Sequence, residues 1–205
     1  MVNRPREVED AGTDERLLAQ FVAGDEARFA ELVERFSPQV FQFVSRFVRD
    51  PASADDLVQE TFVQVYQSAG GFDPQRRLRP WLFTIAANKA RDFLRSRGRR
   101  KEISLNGPTA SESDAVSFLD FLGDDSTSPG DAVESAEVRQ EVRAIIDGMP
   151  DHLREVLLLG YFDRFAYKEI AEILSIPLGT VKSRLHAAVN HFAASYRKRM
   201  ERAER

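Results

Sequence analysis

Thr84, Asn88, Arg91 and Arg95 recur at i, i+4, i+7 and i+11, the spacing that sets a hydroxyl, an amide and two guanidinium groups on one helix face. Such groups hydrogen-bond phosphate oxygens and base edges, so the chemistry they suit is recognition of nucleic acid. Arg97, Arg99 and Arg100 extend the charge, though a solvated helix with a basic tail would carry the same residues. A second polar set, Thr180, Lys182, Ser183, Arg184, His186 and Ala187, follows Pro177 and Gly179. A third contains the paired carboxylates Asp55 and Asp56, with Gln59, Glu60 and Gln64 after them. Paired carboxylates can do acid chemistry, but these stand at an expected helix N-terminus, where the dipole already favours negative charge. A protein-docking surface is the better reading.

Other chemistries find little support. The 205 residues include no cysteine, so disulfides and thiolate metal sites are excluded. His186 and His191 are five apart, off the i, i+4 spacing of a helical metal pair, and neither a metal nor a cofactor is expected. No run suits a membrane span or a signal-peptide core, which predicts a cytoplasmic protein without membrane insertion. The net charge of −4 conceals blocks: residues 61–100 carry about +7 and 181–205 about +5, separated by acidic stretches.

The elements that must position these residues read as helices almost throughout. Residues 14–23 and 26–49 are predicted as amphipathic helices, the second with a core of Phe29, Leu32, Val33, Phe36, Val40, Phe41, Phe43, Val44 and Phe47. Ser53 and Asp56 suggest a cap for a helix over 54–68, whose core face is Leu57, Val58, Thr61, Phe62, Val65 and Tyr66. Pro80 suits the first turn of the next helix, with Leu82, Ile85, Ala86, Ala90, Phe93 and Leu94 packing on a core. From Lys101 to about Ser135, Gly, Pro, Ser and acidic residues give a linker composition, interrupted by the apolar island Val116, Phe118, Leu119, Phe121 and Leu122. That island either docks on a partner or packs back on a domain. Helices resume at 136–147 and 150–162. YKEIAEILSIPLGTVKSRLHAAVNHF then has the layout of a helix-turn-helix, with Ile170, Ala171, Leu174, Ile176, Val181, Leu185 and Val189 as its shared core.

In this order, the motifs resemble the extracytoplasmic-function (ECF) group of the sigma-70 family, bacterial RNA polymerase initiation factors. DDLVQETFVQVY resembles the region 2.2 helix, WLFTIAANKARDFLRSRGRR regions 2.3 and 2.4, and LREVLLLGYFDRFAYKEIAEILSIPLGTVKSRLHAAVNHF region 4. The resemblance implies an all-α protein of two helical domains joined by a flexible acidic linker. The expected divisions are a disordered N-terminus over 1–13, region 2 over 14–100, the linker over 101–135 and region 4 over 136–200. It further implies a factor that is not an enzyme, whose partners are core RNA polymerase and promoter DNA, with an anti-sigma factor as a further possible partner.

Residue by residue, the resemblance sets Asp55, Asp56, Gln59, Glu60 and Gln64 against the polymerase β′ clamp helices. Phe72, Arg76, Arg77, Arg79, Thr84, Asn88, Arg91 and Arg95 would serve the −10 element, with Asn88 nearest a flipped base, whose extrusion costs a few kcal/mol that a pocket must offset. Trp81 is expected in the core. Thr180, Lys182, Ser183, Arg184, His186 and Ala187 would meet the −35 element, while the other side of region 4 holds the β flap. Ala187 and Ala188 stand where many relatives carry arginine. The segment Ser111 to Asp125 is expected to thread the polymerase cleft, anchored by Phe118 and Phe121. The alternative is a helix-turn-helix repressor or activator that binds DNA without polymerase, usually as a dimer on paired half-sites.

Overall fold

The computed structural model describes residues 7–103 and 129–203, all of whose regular structure is helical. The N-terminal unit contains α1 (Glu7–Val22), α2 (Glu26–Val48), α3 (Pro51–Ser68) and α4 (Leu78–Ile103), with a 3-10 turn at Ala69–Gly71. The C-terminal unit contains α5 (Pro129–Asp147), α6 (Asp151–Leu157), a π-helical turn (Leu158–Phe162), α7 (Tyr167–Leu174) and α8 (Leu178–Ala203). No helix among the described residues is long and apolar enough to cross a membrane.

Several boundaries differ from the sequence expectation. Helix α1 starts at Glu7, where residues 1–13 were expected to be disordered. Helix α3 starts at Pro51 because Asp50, and not Ser53, is its N-cap: the Asp50 carboxylate accepts the Ser53 backbone N–H at 3.4 Å and its hydroxyl at 3.0 Å. Helices α4 and α5 enter the segment 101–135 from both sides. The apolar island and the rest of Ser111–Asp125 lie outside the described residues.

The N-terminal unit is a bundle around Phe36, Phe43, Phe47, Leu18, Leu32, Leu78 and Leu82, each no more than 1–2% exposed. Burying a side chain of this size is worth about 1.5–3 kcal/mol, so this cluster is what holds α1–α4 together. Tyr66 departs from its expected core role. It is half exposed, and its ring meets Phe21 and Phe29 on the surface at 5.0 and 5.2 Å. Glu15 of α1 accepts the backbone N–H of Leu78 at 2.7 Å, satisfying one of the orphan donors at the start of α4 and placing a carboxylate at its positive end.

In the C-terminal unit, α7 and α8 cross against α6 and the π turn. Gly160 makes the close approach possible, because a Cβ there would meet Ile170 and Leu185 side chains at 3.4 Å. The helix-turn-helix bends at Ser175, whose φ of 52° is left-handed and whose N–H closes α7. Gly179, expected in the turn, is instead inside the first turn of α8 with open space beside it. Val189, expected in the shared core, is half exposed, and Ala188 is fully buried in its stead. One residue is about 100° of helix rotation, enough to exchange core for surface.

The two units pack on each other through reciprocal helix capping. Arg154 of α6, fully buried, donates to the carbonyl of Phe47 near the end of α2 at 2.9 Å and to Met149 O at 3.0 Å. Arg49 of the N-terminal unit donates to the carbonyl of Asp147, the last residue of α5. Each unit thus supplies a cation to the negative end of a helix in the other. Phe83 of α4 meets Phe165 edge-on at 4.8 Å between them.

Candidate nucleic-acid interface

The residues expected to serve the −10 element are carried by α4 and the loop before it. Phe72 packs on Trp81 at 5.0 Å, so Trp81 is a partly buried partner of the loop and not a fully buried core residue. Asn88 is exposed on α4 and accepts from Arg91 at 3.2 Å. Thr84 turns its hydroxyl back to the Pro80 carbonyl at 2.9 Å, a local bond that occupies its donor. Arg95 is exposed and pairs with Asp92 at 2.9 Å.

Four of the expected DNA-binding arginines reach the C-terminal unit. Arg91 pairs with Glu155 at 2.9 Å, and Arg79 donates to the Asp163 carbonyl at 2.9 Å while stacking on Phe165 at 4.2 Å. Arg76 pairs with Glu172 at 3.5 Å and Arg77 with Glu169 at 3.8 Å. The Glu155 side chain is only 7% exposed and takes a second guanidinium, that of Arg184 on α8, at 3.2 Å. One carboxylate therefore joins an arginine from each reading helix.

Asp163 lies between the units beneath Arg79 and Arg46. Burial pushes its carboxyl up to about 7, and the two guanidinium groups oppose that shift only in part. Its Oδ2 is buried without a hydrogen-bond partner, and an uncharged carboxyl suffers less from that isolation. Burial likewise lowers the affinity of Arg154 and Arg46 for their protons.

The second candidate surface is the outer face of α8. Lys182, Ser183, His186 and Ala187 are exposed there, Thr180 and Arg184 are half-buried, and Val181, Leu185 and Ala188 bury the opposite face. Behind it, Val142, Ile146, Tyr161, Val189 and Phe192 line an apolar groove between α5, the π turn and α8. Tyr161 is 75% exposed at its edge.

Helix α3 presents Asp55, Asp56, Gln59 and Glu60 to solvent, followed by Val63 and Tyr66 on the same side. Glu60 pairs with Lys89 of α4 at 3.2 Å, and Gln64 is half-buried with its amide on Ser68 at 2.9 Å. Sequence reasoning missed Glu15, Arg154, Glu155 and Asp163. Arg154 and Glu155 did leave a signal, a charged pair inside the apolar run LREVLLL, where unpaired charge would be costly.

Residues 32–100 match the family model for sigma-70 region 2, and residues 139–192 that for sigma-70 region 4. The chain is 32% identical to the ECF RNA polymerase sigma factor SigW of Bacillus subtilis, over 82% of this chain and 89% of that one. It is 33% identical to the ECF RNA polymerase sigma-E factor of Escherichia coli, over 86% and 90%. Among solved structures, CnrH in complex with the cytosolic domain of CnrY superposes with a TM-score of 0.62 at 25% identity, covering 88% of this chain and 95% of that one. The sigma factor RpoE of Bartonella quintana, solved with the anti-sigma factor NepR, shares the fold at a TM-score of 0.62 and 23% identity, covering 82% and 96%. With two helical units in this order, a helix-turn-helix in the second and relatives matched over most of both chains, the protein belongs to the ECF group of sigma-70 factors, which direct RNA polymerase to specific promoters.

Proposed function

We propose that α3 docks on the polymerase clamp through Asp55, Asp56, Gln59, Glu60 and Gln64, that α4 and the preceding loop read the melted −10 element, and that α8 reads the −35 duplex. The observation that carries this reading is α8: Lys182, Ser183 and His186 stand together on its outer face while its inner face is closed by Val181, Leu185 and Ala188. A lysine and a histidine with a hydroxyl between them suit guanine O6 and N7 and the neighbouring phosphates. On the other unit Asn88, exposed on α4, is the residue best suited to the edge of an unstacked base. The apolar groove edged by Tyr161 fits an apolar helix of the polymerase flap, and an anti-sigma factor would act by covering that groove or α3. In this reading the chain has no catalysis of its own and works in the cytoplasm, where the polymerase is.

In-vitro transcription with core polymerase over a pooled random promoter library tests it. Start sites that share −10 and −35 sequences should appear only when the protein is added. Asn88→Ala should lower open-complex formation about tenfold or more, and Lys182→Ala should relax sequence choice at one −35 position, each lost base contact being worth ~1–3 kcal/mol. Transcripts that ignore both substitutions would defeat the residue assignments.

A further inference from the structure

We propose that Arg164 is a backbone anchor of the −35 reader, a guanidinium held on a left-handed main chain so that it meets a duplex phosphate beside the groove that α8 enters. The inference rests on the role of α8 proposed above and adds a residue that supplies hold on the strand and not sequence choice.

Arg164 stands in the link between the π turn and α7, at a φ of 55°. Glycine adopts this region freely, whereas a residue with a Cβ is strained there. The neighbours impose the conformation. Asp163 donates its N–H to Leu158 O at 3.1 Å, and its carbonyl accepts Arg79 at 2.9 Å. Phe165 donates its N–H to Leu159 O at 2.9 Å and buries its ring against Phe83 at 4.8 Å and under the Arg79 guanidinium at 4.2 Å. Glu169 then accepts the N–H of Ala166 at 2.8 Å. Asp163 and Phe165 are both buried, and Arg164 between them is turned to solvent. Such over-determined surroundings are what keep a strained residue in place. Packing explains the backbone and not the side chain, because glycine would make this bend with less strain.

The side chain also has no partner of its own. Arg76, Arg77, Arg91 and Arg184 each meet a carboxylate, whereas the Arg164 side chain has no hydrogen bond, ion pair or ring contact among the described residues. A guanidinium kept exposed and unpaired at a fixed point suits an acceptor with two oxygens that arrives from outside. The topology identifies that acceptor as a phosphate. In a helix-turn-helix the first helix crosses the nucleic-acid backbone while the second lies in the groove, and Arg164 stands three residues before the first, α7. Lys168, exposed and equally unpaired among the described residues, adds positive charge to the start of that helix. Helix α8 leaves the task open. Its Arg184 is committed to Glu155 at 3.2 Å and Ala187 has no charge, so the outer face brings Lys182 and His186 to the bases with little hold on the strand.

Holoenzyme assembled from core polymerase and full-length wild type, Arg164→Gly, Arg164→Lys or Lys182→Ala is titrated, over a range of salt, onto a promoter duplex recovered from the random library. Arg164→Gly should weaken binding about tenfold at low salt and reduce the slope of log K against log salt by about one unit, with the ranking of promoter sequences intact. Arg164→Lys should keep most of the affinity and of the slope. Lys182→Ala should instead change the ranking at one −35 position. Duplexes in which single phosphates along the −35 element are replaced by neutral methylphosphonate should include one position that costs wild type about tenfold and costs Arg164→Gly nothing. Thermal unfolding of the free Arg164→Gly chain should shift upward by about 1–4 °C as the strain is relieved, which separates lost binding from lost folding. A downward shift would remove the strain on which the anchor depends. Undiminished affinity with an unchanged salt slope, or identical methylphosphonate profiles for wild type and Arg164→Gly, would overturn the anchor. Weaker assembly with core polymerase at an unchanged salt slope would also overturn it, by placing Arg164 against protein. If Lys182→Ala leaves the ranking unchanged while one phosphate still answers to Arg164, the reading role of α8 fails and the anchor stands; the reverse pattern defeats the anchor alone.

Discussion

Helices α4 and α8 carry the same kinds of polar residue, yet the fold treats them differently. Arg91 of α4 is drawn into an ion pair across the units, and the loop arginines before it are likewise engaged, whereas Lys182 and His186 of α8 stand exposed. The cause is the number of faces each helix buries. Helix α4 buries Leu82, Ala86 and Ala90 and adds Phe83, which meets Phe165 of the other unit. Helix α8 buries the one stripe of Val181, Leu185 and Ala188. The α4 surface beside that second buried face is engaged across the units through Arg91, while the outer face of α8 keeps Lys182, Ser183 and His186 at the surface and pairs Arg184 within its own unit.

The hardest blow to this contrast is Arg154→Ala. It removes the buried guanidinium that serves Phe47 O across the units and Met149 O within one, leaving both carbonyls unsatisfied. A loss of about 3 kcal/mol is expected, lowering Tm by ~6–12 °C by calorimetry. A fall in Tm with unchanged spacing of the units would show that Arg154 serves the C-terminal unit alone.

Asp163 sharpens the contrast through pH. Its carboxyl titrates at about 7 in the folded chain against an ordinary value of 3.8, so folding takes up a proton between those limits. Below that window the group is neutral in both states and costs nothing. As pH rises through it, the unfolded chain loses its proton while the buried carboxyl stays neutral, so stability falls until the buried group also ionises, with the full cost present above about 7. Asp163→Asn should flatten this slope and exceed wild type by ~1–2 kcal/mol at about pH 8, with little difference in acid, as read by denaturant titration at several pH values. A wild-type profile flat through the window would mean that Arg79 and Arg46 hold the carboxylate charged.

The smallest effect concerns the bend of the helix-turn-helix. Ser175 holds a left-handed φ of 52° at the bend of the helix-turn-helix, which glycine adopts without penalty. Ser175→Gly should stabilise the fold by ~0.5–1 kcal/mol in denaturant unfolding and leave the spacing of the two units unchanged. A changed spacing would tie the bend of α7 and α8 to the packing of the units.

Much of the fold was legible because helical periodicity is a local property. The stripe through Leu82, Ala86 and Ala90 and the two helices around Ser175 follow from spacing alone. The α3 start was misread because Ser53 and Asp50 are both competent caps, and only geometry shows which oxygen meets which N–H. Val189 and Tyr66 were misplaced for a related reason: each is one helical step from a core position, and the packing partner decides which residue turns inward. The site residues were legible as types and not as contacts. Nothing near Arg91 in the chain announces Glu155, which is 64 residues away.

The sequence by itself determined the helices, the order of the two units and the basic character of both candidate surfaces, because helix periodicity, capping chemistry and charge are written within a few residues of one another. Tertiary structure alone decided which of those surfaces is covered. Arg154, Glu155 and Asp163 act through partners on the other unit, Phe47, Arg91 and Arg79, and burial across that boundary turns an ordinary carboxylate into a clamp or raises it to about 7. Burial is a property of what lies opposite, and what lies opposite is fixed only when the chain has folded.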